Sequence, residues 1–168
     1  DAVANLRREG IAEERIHLVG DVMVDLLVET VRRFADDEGL LRRFGVDRGR
    51  FAVATLHRPA NVDDPVRLKR LVGLLAEIAA ETPVLFPIHP RTRQRIVEAG
   101  LEALIAAAPG LRLIDPLGYN DFVSLFGKAQ FVVTDSGSLQ LETTILDIPC
   151  LTARDTTERP NTLTQGTN

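Results

Sequence analysis

The sequence predicts an α/β fold, a Rossmann-like doubly wound parallel sheet, and three observations support this class. Short apolar runs such as 51–56 (FAVATL) are typical of strands that are buried on both faces. Longer segments with apolar residues at helical spacing, as in 65–81, separate these runs. No repeat, linker or low-complexity tract interrupts the alternation, and strand–helix–strand units of this kind build parallel sheets.

The N-terminal quarter of the chain predicts helices around one strand. Asp21 is an N-cap candidate in front of a segment whose apolar residues recur at helical spacing. Gly10 and Gly45 stand where two other helical patterns end. The expected elements are a helical end at 2–9, a strand at 15–19 (RIHLV), a helix at 22–34 and a short helix at 38–44.

The remaining three quarters alternate strands with helices. Pro65 suits the first turn of a helix capped by Asp64, and Gly100 interrupts a later helix. Asn120 or Asp121 is expected to cap the helix that follows the turn DPLG. The strands are expected at 51–56, 83–88, 111–114, 130–134 and 148–152, and the helices at 65–81, 92–107, 120–128 and 138–146.

Composition argues against several classes of protein. The 168 residues carry a formal net charge of −4, whereas a nucleic-acid-binding surface needs a basic excess. The single cysteine, Cys150, permits no intrachain disulfide, so a reducing, cytoplasmic location is expected. No apolar run approaches the roughly 18 residues of a membrane span. The three histidines and one cysteine lack zinc-ligand spacing, so neither a metal nor another cofactor is expected.

Polar side chains follow four of the predicted strands at the point where each strand ends. In a doubly wound sheet, ligands bind outside the carboxyl ends of the strands. A ligand site is therefore expected along this end of the sheet. The residues concerned are His57 and Arg58, His89 and Arg91, Asp135 to Gly137, and Arg154 to Arg159.

The stretch 134–142 (TDSGSLQLE) has the strand–turn–helix order of an anion site. Backbone N–H groups of the turn and of the helix N-terminus would face an anion beyond the strand, with the Ser136 hydroxyl as a further donor. Glu142, one to two turns into the helix, could accept hydrogen bonds from sugar hydroxyls. A nucleotide diphosphate would satisfy both parts of this pattern.

Each of these features also has a purely structural interpretation. The turn could be an ordinary tight turn, and Glu142 could be a solvated surface residue. His57 could be a loop histidine without a task, His89 could fasten its loop, and His17 is interpreted as structural. The run 154–160 (RDTTERP) could be a plain charged loop.

Seven segments together resemble the non-hydrolysing UDP-N-acetylglucosamine 2-epimerases. They are VGDVMVD, TLHRPANVDD, FPIHPRTR, IDPLGYNDF, VTDSGSLQLETT, IPCLTARDTTERP and GTN. The resemblance implies the C-terminal, nucleotide-binding half of a two-domain enzyme with the glycogen-phosphorylase-like (GT-B) arrangement. On that basis 1–20 is a helix and connecting segment from a missing N-terminal domain. Residues 21–168 are then a UDP-binding Rossmann-like domain, truncated at its C-terminal end.

The resemblance also implies roles for individual residues. His57 would be catalytic, beside the diphosphate, and would help UDP to leave and return. Arg58 and His89 would line a neighbouring activator site. The UDP-binding residues would be Phe122 at the uracil, Ser136, Gly137 and Ser138 at the phosphates, Glu142 at the ribose, and Arg154 as further positive charge.

Two residues depart from the family pattern at the centre of this site. Ser138 stands where the family usually has Gly, and its side chain would either crowd a phosphate or donate another hydrogen bond. Leu141 stands where the family usually has Glu, so a carboxylate beside Glu142 is lost.

The implied reaction converts UDP-N-acetylglucosamine into UDP-N-acetylmannosamine. UDP is eliminated to give a 2-acetamidoglucal and then adds back with C2 inverted. The carboxylates for proton transfer would belong to the missing domain, so the chain is expected to bind UDP and UDP-N-acetylglucosamine but to be inactive alone. The intact enzyme is expected to be a homodimer with no nucleic-acid or membrane partner. Three alternatives stay open: the C-terminal domain of a UDP-sugar glycosyltransferase, a hydrolysing epimerase, and a non-catalytic nucleotide-sugar binding module.

Overall fold

A computed structural model describes residues 2–168 and contains one five-stranded sheet in the order β3-β2-β1-β4-β5. Every pair of neighbouring strands is parallel. The order reverses between β1 and β4, which is where doubly wound sheets open a crevice at the carboxyl ends of their strands. The strands are β1 (Ala52–Thr55), β2 (Val84–Pro87), β3 (Leu111–Ile114), β4 (Phe131–Thr134) and β5 (Cys150–Thr152).

Helices cover both faces of this sheet. Ten are present in the described part of the chain, together with a 3-10 turn at Glu13–Arg15. The helices are α1 (Ala2–Arg8), α2 (Val22–Phe34), α3 (Gly39–Phe44), α4 (Pro59–Val62), α5 (Pro65–Ala79), α6 (Pro90–Glu98), α7 (Glu102–Ala106), α8 (Tyr119–Phe126), α9 (Gly137–Ile145) and α10 (Asn161–Thr164). None of the helices within residues 2–168 combines the length and the apolar character that crossing a membrane requires.

Strand β1 separates two hydrophobic cores, because successive side chains of a strand point to opposite faces. Ala52 and Ala54 belong to the core beneath α5, where Leu68 is fully buried. Val53 belongs to the core beneath α2, α8 and α9, with Leu27 as its fully buried contribution from α2. Each large apolar side chain buried in this way contributes about 1.5–3 kcal/mol. Burial on both faces explains why the three central strands, β1, β2 and β4, have apolar rather than alternating sequences.

Most of the predicted helix boundaries are confirmed, because the sequence signals operate locally. The Asp21 carboxylate accepts a hydrogen bond from the Met23 N–H at 3.0 Å, and Asp64 likewise caps α5. Gly45 and Gly100 adopt φ of +55° and +64°, the left-handed conformation that ends α3 and α6.

Three predictions are wrong, two about elements and one about a side chain. The expected strand at 15–19 is partly a 3-10 turn and otherwise has no regular structure, with Leu18 and Val19 more than 80% exposed. A strand needs a neighbour's backbone, and no strand of the sheet pairs with this segment. His17 is exposed there and packs in no core, so its structural interpretation is also wrong. The α8 helix begins after Gly118 without a side-chain cap, so neither Asn120 nor Asp121 is its N-cap.

Candidate functional site

A cavity of about 400 Å³ opens at the carboxyl ends of β1, β2 and β4. It lies at the point where the strand order reverses, as expected for a ligand site in this architecture. Six of the residues predicted for the site line it: His57, His89, Phe122, Ser136, Ser138 and Glu142. The structure therefore brings together side chains from five separate loops and helices.

Asp135 organises the loop that carries His57. Its carboxylate is fully buried and accepts the backbone N–H groups of His57, at 3.0 and 3.2 Å, and of Arg58, at 2.9 Å. The Nδ1 atom of His57 lies 3.1 Å from Oδ1 of Asp135. Because the carboxylate accepts, the proton of a neutral His57 ring resides on Nδ1, which leaves Nε2 as the ring's remaining polar atom for the cavity.

Asn61 extends this arrangement to the loop after β5. Its amide Nδ2 donates to Oδ2 of Asp135 at 2.9 Å and to the carbonyl oxygen of Ala153 at 2.8 Å. Burial opposes ionisation of Asp135, but the hydrogen bonds from His57, Arg58 and Asn61 outweigh burial and lower its pKa. Asp135 is therefore an ionised carboxylate that accepts hydrogen bonds from the protein rather than from a ligand.

The β4–α9 turn, called the cradle below, presents hydrogen-bond donors at the start of α9. The Ser136 Oγ accepts the Leu139 N–H at 3.5 Å and caps α9, while the Ser136 N–H donates to Thr134 Oγ1 at 3.0 Å. The hydroxyl proton of Ser136 remains available as a donor. The first N–H groups of α9 have no acceptor within the helix, and its dipole favours negative charge at this end.

A protein carboxylate already rests against this cradle. A Cβ atom placed on Gly137 would lie 2.0 Å from Oε1 of Glu158, so only glycine leaves that side chain its present position. Arg58 Nη2 lies 3.0 Å from Oε1 of Glu158, and Arg154 Nη1 lies 2.6 Å from Oε2. Both arginines therefore face Glu158, and neither contributes to the wall of the cavity.

Glu142 is buried in the cavity wall with a single hydrogen-bond donor. Its side chain accepts the Tyr119 hydroxyl at 3.3 Å, and the residue is 8% exposed. Burial raises the pKa of Glu142, and the Tyr119 hydroxyl partly offsets that rise. Burial and the nearby Glu142 carboxylate raise the pKa of Tyr119 to about 12. The carboxylate retains free acceptor positions, which hydroxyl groups of a ligand could fill.

Tyr119 was not among the predicted site residues, although it lies in the segment GYNDF that carried the resemblance. For the UDP ligand that the resemblance implies, Tyr119→Phe is expected to weaken binding about threefold to tenfold, because Glu142 loses its orienting donor. The same change is expected to raise the pKa of Glu142, because the hydroxyl stabilises the ionised form. Calorimetric UDP titrations between pH 5 and 8 should then show the acidic limb of binding moved to higher pH. An unchanged limb would show that Tyr119 only packs.

Phe122 and His89 form two further parts of the wall. Phe122 lines the cavity and packs against Phe126 with a ring-centroid distance of 5.2 Å. The ring gives the cavity an apolar surface against which a flat base could lie. His89 Nδ1 accepts the Arg91 N–H at 3.2 Å and caps α6, which confirms that this histidine fastens its loop. It lines the cavity as well.

A carboxylate joins the His57 loop to α6. Asp63, just after α4, pairs with Arg91 and lies 3.0 Å from Nε of Arg95. The hydrogen bond from Arg91 lowers the pKa of Asp63, burial opposes it, and the hydrogen bond from Arg95 lowers the pKa further. The loops that present His57 and His89 are therefore linked to each other.

Cys150 lacks the features of a catalytic nucleophile. Cys150 is 3% exposed within the core, and burial raises the pKa of its thiol, which disfavours the nucleophilic thiolate. Among the described residues, no three side chains of the histidine, cysteine, aspartate and glutamate types converge as metal ligands.

Comparison with known proteins shows the family of this chain. A family model described as UDP-N-acetylglucosamine 2-epimerase matches residues 1–168. The chain belongs to that family. The UDP-N-acetylglucosamine 2-epimerase of Methanocaldococcus jannaschii is 38% identical over 98% of this chain and 46% of its own length. A crystal structure of that enzyme in complex with UDP-N-acetylglucosamine and UDP superimposes with a TM-score of 0.87, covering 99% of this chain and 47% of the enzyme.

A second relative differs in the sugar that its name specifies. The UDP-2,3-diacetamido-2,3-dideoxy-D-glucuronate 2-epimerase of Pseudomonas aeruginosa is 39% identical over 99% of this chain and 45% of its own length. This family member thus spans about half the length of the curated relatives that it matches. The Rossmann-like fold class and the family expected from the sequence are confirmed.

Proposed function

We propose that this chain is the UDP-binding half of a non-hydrolysing UDP-N-acetylglucosamine 2-epimerase. The observation that carries the proposal is the meeting of an anion cradle, a buried carboxylate and an aromatic wall in one cavity. A nucleoside diphosphate needs all three, since its phosphates, ribose and base present charge, hydroxyl donors and a flat apolar face. The M. jannaschii relative, whose structure holds UDP-N-acetylglucosamine and UDP, is similar over 99% of this chain.

In this proposal UDP spans the cavity from α9 to α8. The phosphates bind at the start of α9, with N–H groups and hydroxyls of Ser136 and Ser138 as donors and Gly137 permitting the close approach. The ribose hydroxyls donate to Glu142, and the uracil lies against Phe122. Arg154 and Arg58 supply positive charge from beside the cradle. Ser138 lines the cavity, which supports a role as an additional donor.

His57 is proposed as the catalytic group of this half. Departure of UDP breaks the C1–O bond of the sugar and leaves the bonding electron pair on the β-phosphate, so a positioned donor or cation stabilises the leaving group. The Asp135 carboxylate fixes the His57 ring through Nδ1, which directs Nε2 to this task. When both ring nitrogens of His57 carry a proton, Nε2 donates a hydrogen bond to the phosphate oxygen. As UDP returns, the ring stabilises the same charge in the reverse sense.

Proton transfer at C2 is proposed to depend on residues outside this chain. Asp135 is fully buried and hydrogen-bonded to the protein, and Glu142 is assigned to the ribose. Neither carboxylate is free to remove the C2 proton as the family's elimination requires. The acid–base groups are assigned to an N-terminal domain that would face this cavity in a GT-B arrangement.

The domain boundary near residue 20 is likewise a proposal. Within the described part of 1–20, α1 and the 3-10 turn bury no residue, whereas both cores form from residue 27 onward. The segment is therefore suited to connect two domains, and 21–168 to act as the nucleotide-binding unit. A homodimeric, cytoplasmic enzyme completes the proposal. Of the two residues expected at an activator site, His89 is retained as a candidate because it lines the cavity, whereas Arg58 faces Glu158.

The test of this function separates binding from turnover. Calorimetry is expected to show UDP binding to the 168-residue chain, while UDP-N-acetylglucosamine incubated with it in D₂O gains no deuterium at C2. Adding an N-terminal half from the M. jannaschii relative, or fusing it, is expected to restore exchange. Absence of heat at millimolar UDP would refute nucleotide binding, and exchange by the chain alone would refute the division of labour.

The sugar is the part of the proposal for which a second candidate has support. The P. aeruginosa relative, named for a 2,3-diacetamido-glucuronate substrate, is as similar to this chain as the M. jannaschii enzyme. Both substrates share UDP, which is the group that this half is proposed to hold. Competition of the two nucleotide sugars against UDP, measured on a reconstituted two-domain enzyme, distinguishes them by which one turns over.

A further inference from the structure

A charged side chain of the protein lies against the first residue of α9. The carboxylate of Glu158 approaches Gly137 so closely that a Cβ atom there would lie 2.0 Å from Oε1 and 2.6 Å from Cδ. Gly137 opens α9, a helix of nine residues. The carboxylate therefore lies beside the N-terminal end of α9, the end of a helix that favours negative charge.

Two guanidinium groups from different loops neutralise this carboxylate. Arg58, after β1, lies 3.0 Å from Oε1, and Arg154, after β5, lies 2.6 Å from Oε2. The Arg154 side chain is only 11% exposed, and its Nη1 atom is close to Oε2 without a hydrogen bond of good geometry. Arg58 is fixed from behind, because its Nε donates to the carbonyl oxygen of Asp135 at 2.8 Å. Paired arginines held in this way are suited to phosphate oxygens.

Glu158 can leave while its loop stays in place. Its side chain is 51% exposed, and ion pairs at exposed carboxylates are weak and screened by salt. The loop itself is anchored next to it, since the Thr157 hydroxyl donates to Oε1 of buried Gln140 at 2.5 Å and accepts the Arg159 N–H at 3.0 Å. Rotation of one side chain thus exposes the cradle and frees both arginines without moving the backbone.

We propose that Glu158 is a resident anion that occupies the diphosphate position in the ligand-free protein and competes with the ligand for Arg58 and Arg154. The proposal rests on the proposed function only in naming the ligand as a nucleoside diphosphate. An anion that pairs with Arg58 and Arg154 must displace this carboxylate from them. A diphosphate has more charge and more acceptor oxygens than one carboxylate, so the competition favours it over small monoanions.

The experiment compares Glu158→Gln with the unaltered chain, using UDP and inorganic pyrophosphate as separate calorimetric ligands at low ionic strength. Removing the competing charge is expected to tighten both ligands about threefold to tenfold. Glu158→Ala is expected to act in the same direction. Asp155→Asn is the matched control, because Asp155 lies in the same loop but pairs with Arg67 of α5 at 2.9 Å, away from the cradle.

The outcomes separate this inference from the function on which it builds. Tightening of both ligands in Glu158→Gln, with no change in Asp155→Asn, supports it. UDP binding that is equal or weaker in Glu158→Gln overturns it and leaves the nucleotide site intact. If Glu158→Gln binds pyrophosphate more tightly but neither protein binds UDP, the competition by Glu158 is supported and the proposed nucleotide ligand is refuted. If neither ligand binds to either protein, both proposals fail.

Discussion

Asp135→Asn is expected to lower the free energy of unfolding by about 3 kcal/mol, because it removes one charge from a buried, fully hydrogen-bonded arrangement. An asparagine keeps the size of the side chain but presents an NH₂ group to donors. The N–H groups of His57 and Arg58 and the Asn61 amide all point at this carboxylate, so at least one would meet another donor. A fall in the thermal midpoint of about 6–12 °C corresponds to this loss in a domain of this size.

The pH dependence of stability gives an independent check on Asp135. Its pKa is lowered in the folded chain, so its stabilising contribution is complete above the unfolded-state pKa of about 4 and disappears as the pH falls through the folded-state value. The difference between the wild-type chain and Asp135→Asn should therefore be constant from pH 6 to 8 and shrink below about pH 4. Denaturant unfolding across this range measures it.

A matched control for that measurement is Asp115→Asn. Asp115 follows β3 in the same way that Asp135 follows β4, but its side chain is 94% exposed. Its replacement is expected to leave the midpoint within about 1 °C. Equal midpoints for the wild-type chain and Asp135→Asn would contradict the organising role given to Asp135.

Glu142→Gln is expected to have opposite effects on binding and on stability. The variant should bind UDP about 10-fold to 100-fold more weakly, because hydrogen bonds from the ribose hydroxyls to a charged acceptor become bonds to a neutral amide. At neutral pH the same variant should be more stable than the wild-type chain, because burial raises the pKa of Glu142 and its ionised form is therefore unfavourable in the folded state.

The direction of this stability effect follows from proton binding. A carboxyl group with a raised folded-state pKa binds its proton more tightly when folded, so stability is highest below the unfolded-state pKa and decreases as the pH rises through the folded-state value. The stabilisation in Glu142→Gln should therefore be present at pH 8 and vanish near pH 4. Thermal unfolding at both values tests the point.

Two comparisons assign the binding effect to the ribose. A ligand that lacks the 2′-hydroxyl, 2′-deoxy-UDP, should lose less affinity than UDP when Glu142 is replaced, since part of the interaction is already absent. Glu77→Gln on α5, an exposed glutamate on the opposite side of the sheet, should change neither ligand. Equal losses for UDP and 2′-deoxy-UDP would show that Glu142 does not contact that hydroxyl.

The strands could be predicted because burial on both faces leaves a local record in the sequence. All five strands of the sheet lie within their predicted ranges, and the one failure, 15–19, has comparable apolar character but no partner. Pairing is a property of the whole fold, so no window of five residues contains it. The caps at Asp21 and Asp64 were predictable for the converse reason, since each acts within three residues.

The arrangement inside the site could not be predicted from the sequence, because its main contacts join residues that are far apart in the chain. Asp135 meets His57 across 78 residues, and Glu158 meets Arg58 across 100. The motifs named the turn and the charged loop separately, yet only their juxtaposition shows that the loop's glutamate covers the turn's glycine. The sequence did contain one signal, which is the aspartate Asp135 directly after a predicted strand. A buried carboxylate at such a position can accept the backbone N–H groups of a neighbouring turn.

The two attachments of the His57 loop differ in how they respond to ionic strength. Asp135 holds the loop from within the protein, where dissolved ions do not reach. Asp63 holds it to α6 through partly exposed arginines, and such pairs weaken as salt accumulates around them. Salt therefore loosens the His89 side of the cavity while the His57 side keeps its shape. Ligand contacts made on the two sides then differ in their salt dependence. An affinity measured at a single salt concentration would not show this difference.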